Sequence, residues 1–267
     1  MNYLLSLLLI FGTQFVGAQT DKFSSFELQS EILNEKRTCL VQLPENYDQT
    51  SNYEQSYPVI ILLDGAVFFQ TTGGIIRFMS SNRNGNYLMP ESILIAIENV
   101  DRRRDFTVTK IVTKRGNTSG GGRKFLDFIH KELLPYIDKT YRSDKHRTLI
   151  GHSLGGLLTL NAFMDANSAF DAFISIDPSI WWNDMQMKEK VSTTSTDSFT
   201  RKLYIATANQ GEAKYERNKK RHDRLFELLQ KQSAKQEFLE LQYFKNEDHR
   251  SVPLKAIYDG LKFVNAY

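Results

Sequence analysis

Short runs of apolar residues alternate along this chain with segments of helical spacing. Tyr57–Leu63, Ser92–Glu98, Arg147–Gly151, Asp171–Ile176 and Lys202–Ala206 are mostly apolar runs, and Phe238–Phe244, with Glu240 and Gln242 on one face, completes the set. Central strands of a parallel sheet, covered on each side, need that pattern. Ahead of them, Phe26–Leu33 and Arg37–Leu43 alternate imperfectly about Asn34-Glu35-Lys36, which predicts an antiparallel hairpin. Between the runs, Gly122–Tyr141 carries Phe125, Phe128, Ile129, Leu133, Tyr136 and Ile137 on one helical stripe, with Pro135 expected to kink or split it. Leu154–Met164, Ala213–Gln230 and Leu254–Phe263 are further helix candidates. The polar, Ser/Thr-rich stretch Asp184–Arg201 reads as a long loop, either a lid element or a surface excursion. Strands alternating with helices predict an α/β fold. No internal repeat or low-complexity tract divides the chain.

Met1–Thr20 differs from the rest. It has no charged residue, is almost wholly apolar from Leu4 to Val16, and ends in Val16-Gly17-Ala18. The apolar stretch is short for a bilayer, which takes roughly 20 residues, and the small residues suit cleavage before Gln19. The expected organisation is a signal peptide over 1–18 and one domain over 19–267. A secreted or periplasmic protein with no stable membrane anchor follows from that. The single cysteine, Cys39, allows neither an internal disulfide nor a thiolate metal cluster. A net charge of +3 is too small to argue for nucleic-acid binding.

Chemistry concentrates at Gly151-His152-Ser153-Leu154-Gly155-Gly156, between an apolar strand run and an apolar helical run. A serine on a sharp strand-to-helix turn presents its hydroxyl above the sheet, and the following helix points its first amides at the same place. Such a serine needs a histidine to take its proton and an acid to orient that histidine. His130, His146 and His222 sit among helical, charged surroundings, and His152 is inside the turn. His249, in the loop between the last strand and the last helix, is the expected base. With the order serine, acid, histidine, the acid is expected after Lys202–Ala206, which favours Glu212, with Glu216 and Asp223 as fallbacks; Asp177, after an earlier strand, is a less usual place. The amides of Leu154 and Ala66 are the expected oxyanion donors. Ser119-Gly120-Gly121-Gly122 lacks the Gly-Lys-Ser/Thr of a phosphate loop and reads as a helix entry. Lys214, Arg217, Lys219, Lys220, Arg221 and Arg224 read as a solvated basic face, with steering of anions as the weaker possibility.

The chain resembles the esterase D-like, enterochelin-esterase-like family of the α/β-hydrolase superfamily. The likeness rests on Leu62-Leu63-Asp64-Gly65, Glu98-Asn99-Val100-Asp101-Arg102, Arg104-Asp105-Phe106-Thr107 and Phe125–Ile129. It continues through Glu132–Ile137, Gly151–Gly156, Pro178-Ser179-Ile180-Trp181-Trp182 and His249-Arg250-Ser251-Val252-Pro253, so it spans nearly all of the chain after the leader. The resemblance implies an eight-stranded, mostly parallel sheet and carboxylic-ester hydrolysis with Ser153 and His249 as the catalytic pair; it does not settle the acid. Asp177 stands where relatives often carry serine, which alters the charge at the floor of the site.

Trp181 and Trp182 are expected to line the acyl or alcohol pocket near Ser153, the alternative being packing over the sheet edge. Asn99, Arg102 and Arg104 are expected to brace the loop or hold a polar substrate, with bracing favoured. The leading expectation is a secreted serine esterase acting through an acyl-enzyme on a small-molecule ester, with no metal or cofactor. An acyltransferase and a non-catalytic ligand-binding relative remain the alternatives. The natural ester and the oligomeric state are left open.

Overall fold

The computed structural model describes residues 23–48, 54–81, 85–111, 118–182, 184–194 and 199–266. The expected signal peptide lies outside them. All eight strand-type runs are strands: β1 (Phe23–Ser30), β2 (Glu35–Gln42), β3 (Tyr57–Leu62), β4 (Ile93–Ile97), β5 (Ser143–His152), β6 (Ala172–Ile176), β7 (Lys202–Ala208) and β8 (Leu239–Phe244). They form one sheet in the order β1-β2-β4-β3-β5-β6-β7-β8. β1 pairs antiparallel with β2, and β2 antiparallel with β4; every other pairing is parallel. The fold is thus α/β, with a mixed, mostly parallel sheet.

Side-chain alternation explains the continuous apolar runs. In β4, Ile93, Ile95 and Ile97 enter one core layer, while Leu94 and Ala96 enter the other. The second layer is closed by α1 (Gly65–Met79) and α8 (Val252–Val264), through Phe69, Ile76, Ala256, Ile257 and Leu261. The first is closed by α3 (Gly122–Phe128), α4 (Leu134–Thr140), α5 (Leu154–Phe163), α6 (Asp184–Thr193) and α7 (Lys219–Gln232); a short α2 (Arg102–Phe106) precedes α3. Every residue of α5 from Gly155 to Phe163 is buried, as befits a helix that follows the central strand.

Three local readings change. The hairpin turn falls earlier than expected, over residues 31–34, with Asn34 at φ 54°, a backbone region that asparagine tolerates. The expected kink at Pro135 is a π turn over Ile129–Leu133 joining α3 to α4. Proline has no N–H and its ring collides with the carbonyl four residues back, and a wider turn relieves both. Its Glu132 accepts the amides of Glu31 and Ile32 at 3.0 Å and the Ser30 hydroxyl at 2.5 Å, which fastens the hairpin to the helical layer. Finally, 184–193 of the expected loop is helical, with Met187 and Val191 buried four residues apart. Among the described residues, no helix is long and apolar enough to cross a membrane.

Candidate active site

β5, at the centre of the sheet, ends at His152, and the chain turns at Ser153 with φ 60° and ψ −115° before entering α5. Gly151 permits this: a Cβ there would lie 2.4 Å from the Gly155 carbonyl carbon. The turn is fixed from the neighbouring strand. Ser153 N–H donates to the Ile176 carbonyl at 2.9 Å, and Ser179 N–H donates to the Ser153 carbonyl at 2.9 Å. The exit of β6 is therefore stitched to both sides of the serine.

Asp177, the first residue past β6, is buried with φ 39°. Its Oδ1 accepts the Ala208 amide at 3.0 Å and the Asn218 side-chain amide at 2.9 Å. Its Oδ2 lies 2.5 Å from both the Gln210 side-chain nitrogen and His249 Nδ1. His249 Nε2 in turn lies 3.1 Å from Ser153 Oγ. Burial pushes the Asp177 carboxyl upward, but the donors around it outweigh that and leave it at about 2. It is ionised at neutral pH, so His249 Nδ1 carries a proton and Nε2 is left free to accept one. Gln210 Nε2 also stands 3.3 Å from His249 Nδ1; with both nitrogens bearing hydrogen, the amide's hydrogen goes to Asp177.

His249 sits in the loop between β8 and α8. The Asp248 carboxylate accepts the amides of Arg250 at 2.7 Å and Ser251 at 3.0 Å, and the His249 carbonyl lies 2.9 Å from His152 Nε2. Burial, together with the neighbouring His249, pushes His152 down to about 4, so its ring is neutral and Nε2 can donate to that carbonyl. A second neutral histidine supports the opposite side. His222 is fully buried, with Nδ1 2.9 Å from the Thr207 hydroxyl and Nε2 2.8 Å from the Pro178 carbonyl, and burial lowers its pKa.

Glu212, the expected acid, does not reach His249, and Asp177 stands against the ring in its place. Glu212 is exposed in a short turn beyond β7, where Gly211 at φ 81° swings the chain away, and among the described residues it has no bond to His249. Glu216 pairs with Lys220 and Asp223 with Lys219. β7 contributes an amide through Gln210 instead of a carboxylate. In the sheet β6 lies beside β5, and β7 lies one strand further out. A charged residue directly after a wholly buried strand, before Pro178, was the available signal.

Leu154 and Ala66 both sit in the first turn of a helix, α5 and α1, where amides lack partners within the helix. Among the described residues neither amide donates to a protein acceptor. The loop ahead of Ala66 is braced as expected. Asp64, at φ 58°, accepts Arg102 Nε at 2.6 Å, Arg102 Nη2 at 3.0 Å and Asn99 Nδ2 at 2.6 Å. Arg102 Nη2 also donates to the His152 carbonyl at 3.2 Å, so one guanidinium holds both turns. Arg104 braces elsewhere, pairing with Asp105 and Glu35.

Beside the serine lies a cleft of about 220 Å³, lined by Ser153, His249, Ser179, Trp181, Lys214 and Arg217 among others. The Arg217 guanidinium stacks 4.0 Å above the Trp181 ring. The expected tryptophan pair divides here: Trp182 is not on the cleft but packs on the core, its indole nitrogen 3.5 Å from the Thr109 carbonyl. The basic run thus turns two cations, Lys214 and Arg217, toward the cleft. Among the described residues, no three His, Cys, Asp or Glu side chains converge as a metal site requires.

Residues 30–250 match the model of the family described as "Putative esterase". The chain is 30% identical over 255 residues to the ferri-bacillibactin esterase BesA of Bacillus subtilis, covering 86% of each protein. It is 24% identical to the siderophore enterobactin esterase of Emericella nidulans, covering 79% of this chain and 83% of that one. Among solved structures, an IroE-like serine hydrolase from Shewanella oneidensis superposes with a TM-score of 0.77 at 29% identity, covering 90% of this chain and 79% of that one.

Proposed function

Because this chain belongs to the Putative esterase family and is a hydrolase acting on ester bonds, we propose that it is a serine esterase working through an acyl-enzyme on Ser153. The observation that carries the reading is the continuous line Ser153 Oγ–His249 Nε2 at 3.1 Å and His249 Nδ1–Asp177 Oδ2 at 2.5 Å. As Ser153 attacks the ester carbonyl, His249 takes its proton, and the buried carboxylate of Asp177 stabilises the imidazolium and fixes its orientation. Asp177 replaces Glu212 in this role. The amides of Leu154 and Ala66 receive the oxyanion. His249 then protonates the leaving alcohol, and with its help water releases the acid.

The named relatives suggest a siderophore-type ester as substrate. Lys214 and Arg217 on the cleft wall suit an anionic molecule of that kind, and Trp181 offers it a flat apolar surface. A leader over 1–18 and one catalytic domain over 19–267 would put this chemistry in the periplasm or outside the cell. The test is intact-mass spectrometry before and after a fluorophosphonate, with peptide mapping. A single adduct on Ser153 is expected, absent in Ser153→Ala, which should also lose about 10⁶-fold in kcat. A folded protein that takes no adduct, or an active Ser153→Ala, overturns the reading.

A further inference from the structure

The hydroxyl of Ser179 lies 3.0 Å from Ser153 Oγ, and nothing in the proposed reaction yet uses it. Ser179 is almost fully buried, borders the cleft, and is held by its backbone: its N–H donates to the Ser153 carbonyl, and its own carbonyl accepts the Trp182 amide at 3.0 Å. Ser153 Oγ therefore has two side-chain partners, Ser179 Oγ and His249 Nε2.

Proton bookkeeping fixes the direction of both bonds. Asp177 takes the Nδ1 hydrogen of His249, so Nε2 is an acceptor and the single hydroxyl hydrogen of Ser153 points to it. Between the two serines, only Ser179 is left to donate. Resting on the acyl-enzyme reading above, we infer that Ser179 is a further catalytic residue, whose hydroxyl donates to Ser153 Oγ and speeds its departure from the acyl-enzyme.

The donation matters differently in the two half-reactions. In acylation Oγ begins as a hydroxyl, already a good acceptor, and loses electron density to the new C–O bond, so this hydrogen bond does not favour attack. In the acyl-enzyme, Oγ is the alkoxy oxygen of an ester, a poor acceptor. Water then adds to the acyl carbon as His249 Nε2 takes its proton. When the tetrahedral adduct collapses, the Oγ–C bond breaks, Oγ leaves with that electron pair, and His249 returns the proton to it. Ser179 keeps its own proton throughout, and its bond strengthens as charge gathers on Oγ. An interaction gained only on the way to the transition state accelerates that step.

Ser179→Ala should therefore slow deacylation about 10- to 100-fold, the range for a hydrogen bond to a charged group, and leave kcat/KM, which reports acylation, within about threefold. With a 4-nitrophenyl ester, kcat and KM should fall together. Rapid mixing should show a burst of nitrophenol matching the enzyme concentration, with the acyl-enzyme visible by intact mass. Ser179→Thr, which keeps the hydroxyl, should restore turnover toward the parent. Unchanged kcat in Ser179→Ala overturns the inference, and so does an equal loss of kcat and kcat/KM without a burst, the pattern of a purely structural role. Ser153→Ala run alongside separates the two readings. If it stays active, the acyl-enzyme on Ser153 is wrong; if it is inactive while Ser179→Ala behaves as the parent, only the inference about Ser179 fails.

Discussion

Asp64 and Asp177 occupy matching places. Each lies just past the carboxyl end of a central strand, β3 or β6, each is buried, and each has a positive φ, 58° and 39°. Their partners differ. Asp64 is gripped by the guanidinium of Arg102 and the amide of Asn99. A guanidinium does not titrate in proteins, so that pair can hold a backbone turn in place but cannot move a proton. Asp177 is surrounded by neutral donors, the His249 ring and, 4.0 Å from Oδ1, the buried ring of His222. Burial lowers the His222 pKa and keeps that ring neutral, so in the proposed reaction the charge of Asp177 is balanced when His249 becomes positive. The same residue in the same kind of place serves as a brace or, in the proposed mechanism, as a catalytic acid, according to whether its neighbour can change charge.

The comparison breaks most sharply at Asp177. Asp177→Asn should lower kcat by about 10⁴-fold, because an amide can present hydrogen to His249 and favour the wrong tautomer. Glu212→Gln should stay within about twofold. Steady-state turnover of a chromogenic ester checks both, and a large loss in Glu212→Gln would return the acid to the exit of β7. His152, which feels the charge of both aspartates, gives the next largest effect. Its pKa is lowered by burial from 6.5 to about 4, so between those values the unfolded chain binds a proton that the folded chain refuses. Stability should therefore fall as pH drops through that window, by up to about 3 kcal/mol from this group. The lowered pKa of His222 acts in the same direction. Asp177 adds a further loss below the window, as pH falls from 3.8 towards 2. Melting temperatures from pH 7 to 4 should show the decline, and His152→Gln should flatten part of it.

Asp64→Asn should cost about 1–2 kcal/mol of stability, less than a fully buried pair because Arg102 is 36% exposed. It should also lower kcat about tenfold as the turn bearing the Ala66 amide loosens, a combination that thermal melts and kinetics together would reveal. The smallest change is expected at the cleft wall. Arg217→Ala should raise KM about three- to fivefold for an anionic ester and leave kcat and neutral esters unchanged. Salt should erase the difference, since the cation stands at a solvent-facing rim.

The strands were the most legible part of the chain because burial on both faces leaves an unbroken apolar run, as in Ile93–Ile97. α1 gave no comparable signal. Its middle reads Thr71-Thr72-Gly73-Gly74, poor helix formers, and a Cβ at Gly73 would displace the end of the Gln42 side chain, whose amide oxygen it would meet at 1.9 Å. The serine turn and His249 were readable from local pattern, because a strand, a tight glycine-flanked turn and a helix must follow one another in sequence. The acid was not. Which strand exit faces the histidine depends on the order of strands across the sheet, and Asp177 and Glu212 are both acidic residues soon after a buried run. Ser179 was visible only as part of a motif, since its hydrogen bond to Ser153 crosses between two loops.

The separation of Ser153 and His249 along the chain has a consequence for the newborn protein. The two are 96 residues apart. At a synthesis rate of roughly 5–20 residues per second, the serine leaves the ribosome about 5–20 s before the histidine proposed to activate it. Through that interval the nucleophile has no base, and β8, which brings the histidine, has not yet docked at the edge of the sheet. On the proposed mechanism, the nascent chain is chemically silent toward the esters around it until its last strand is in place.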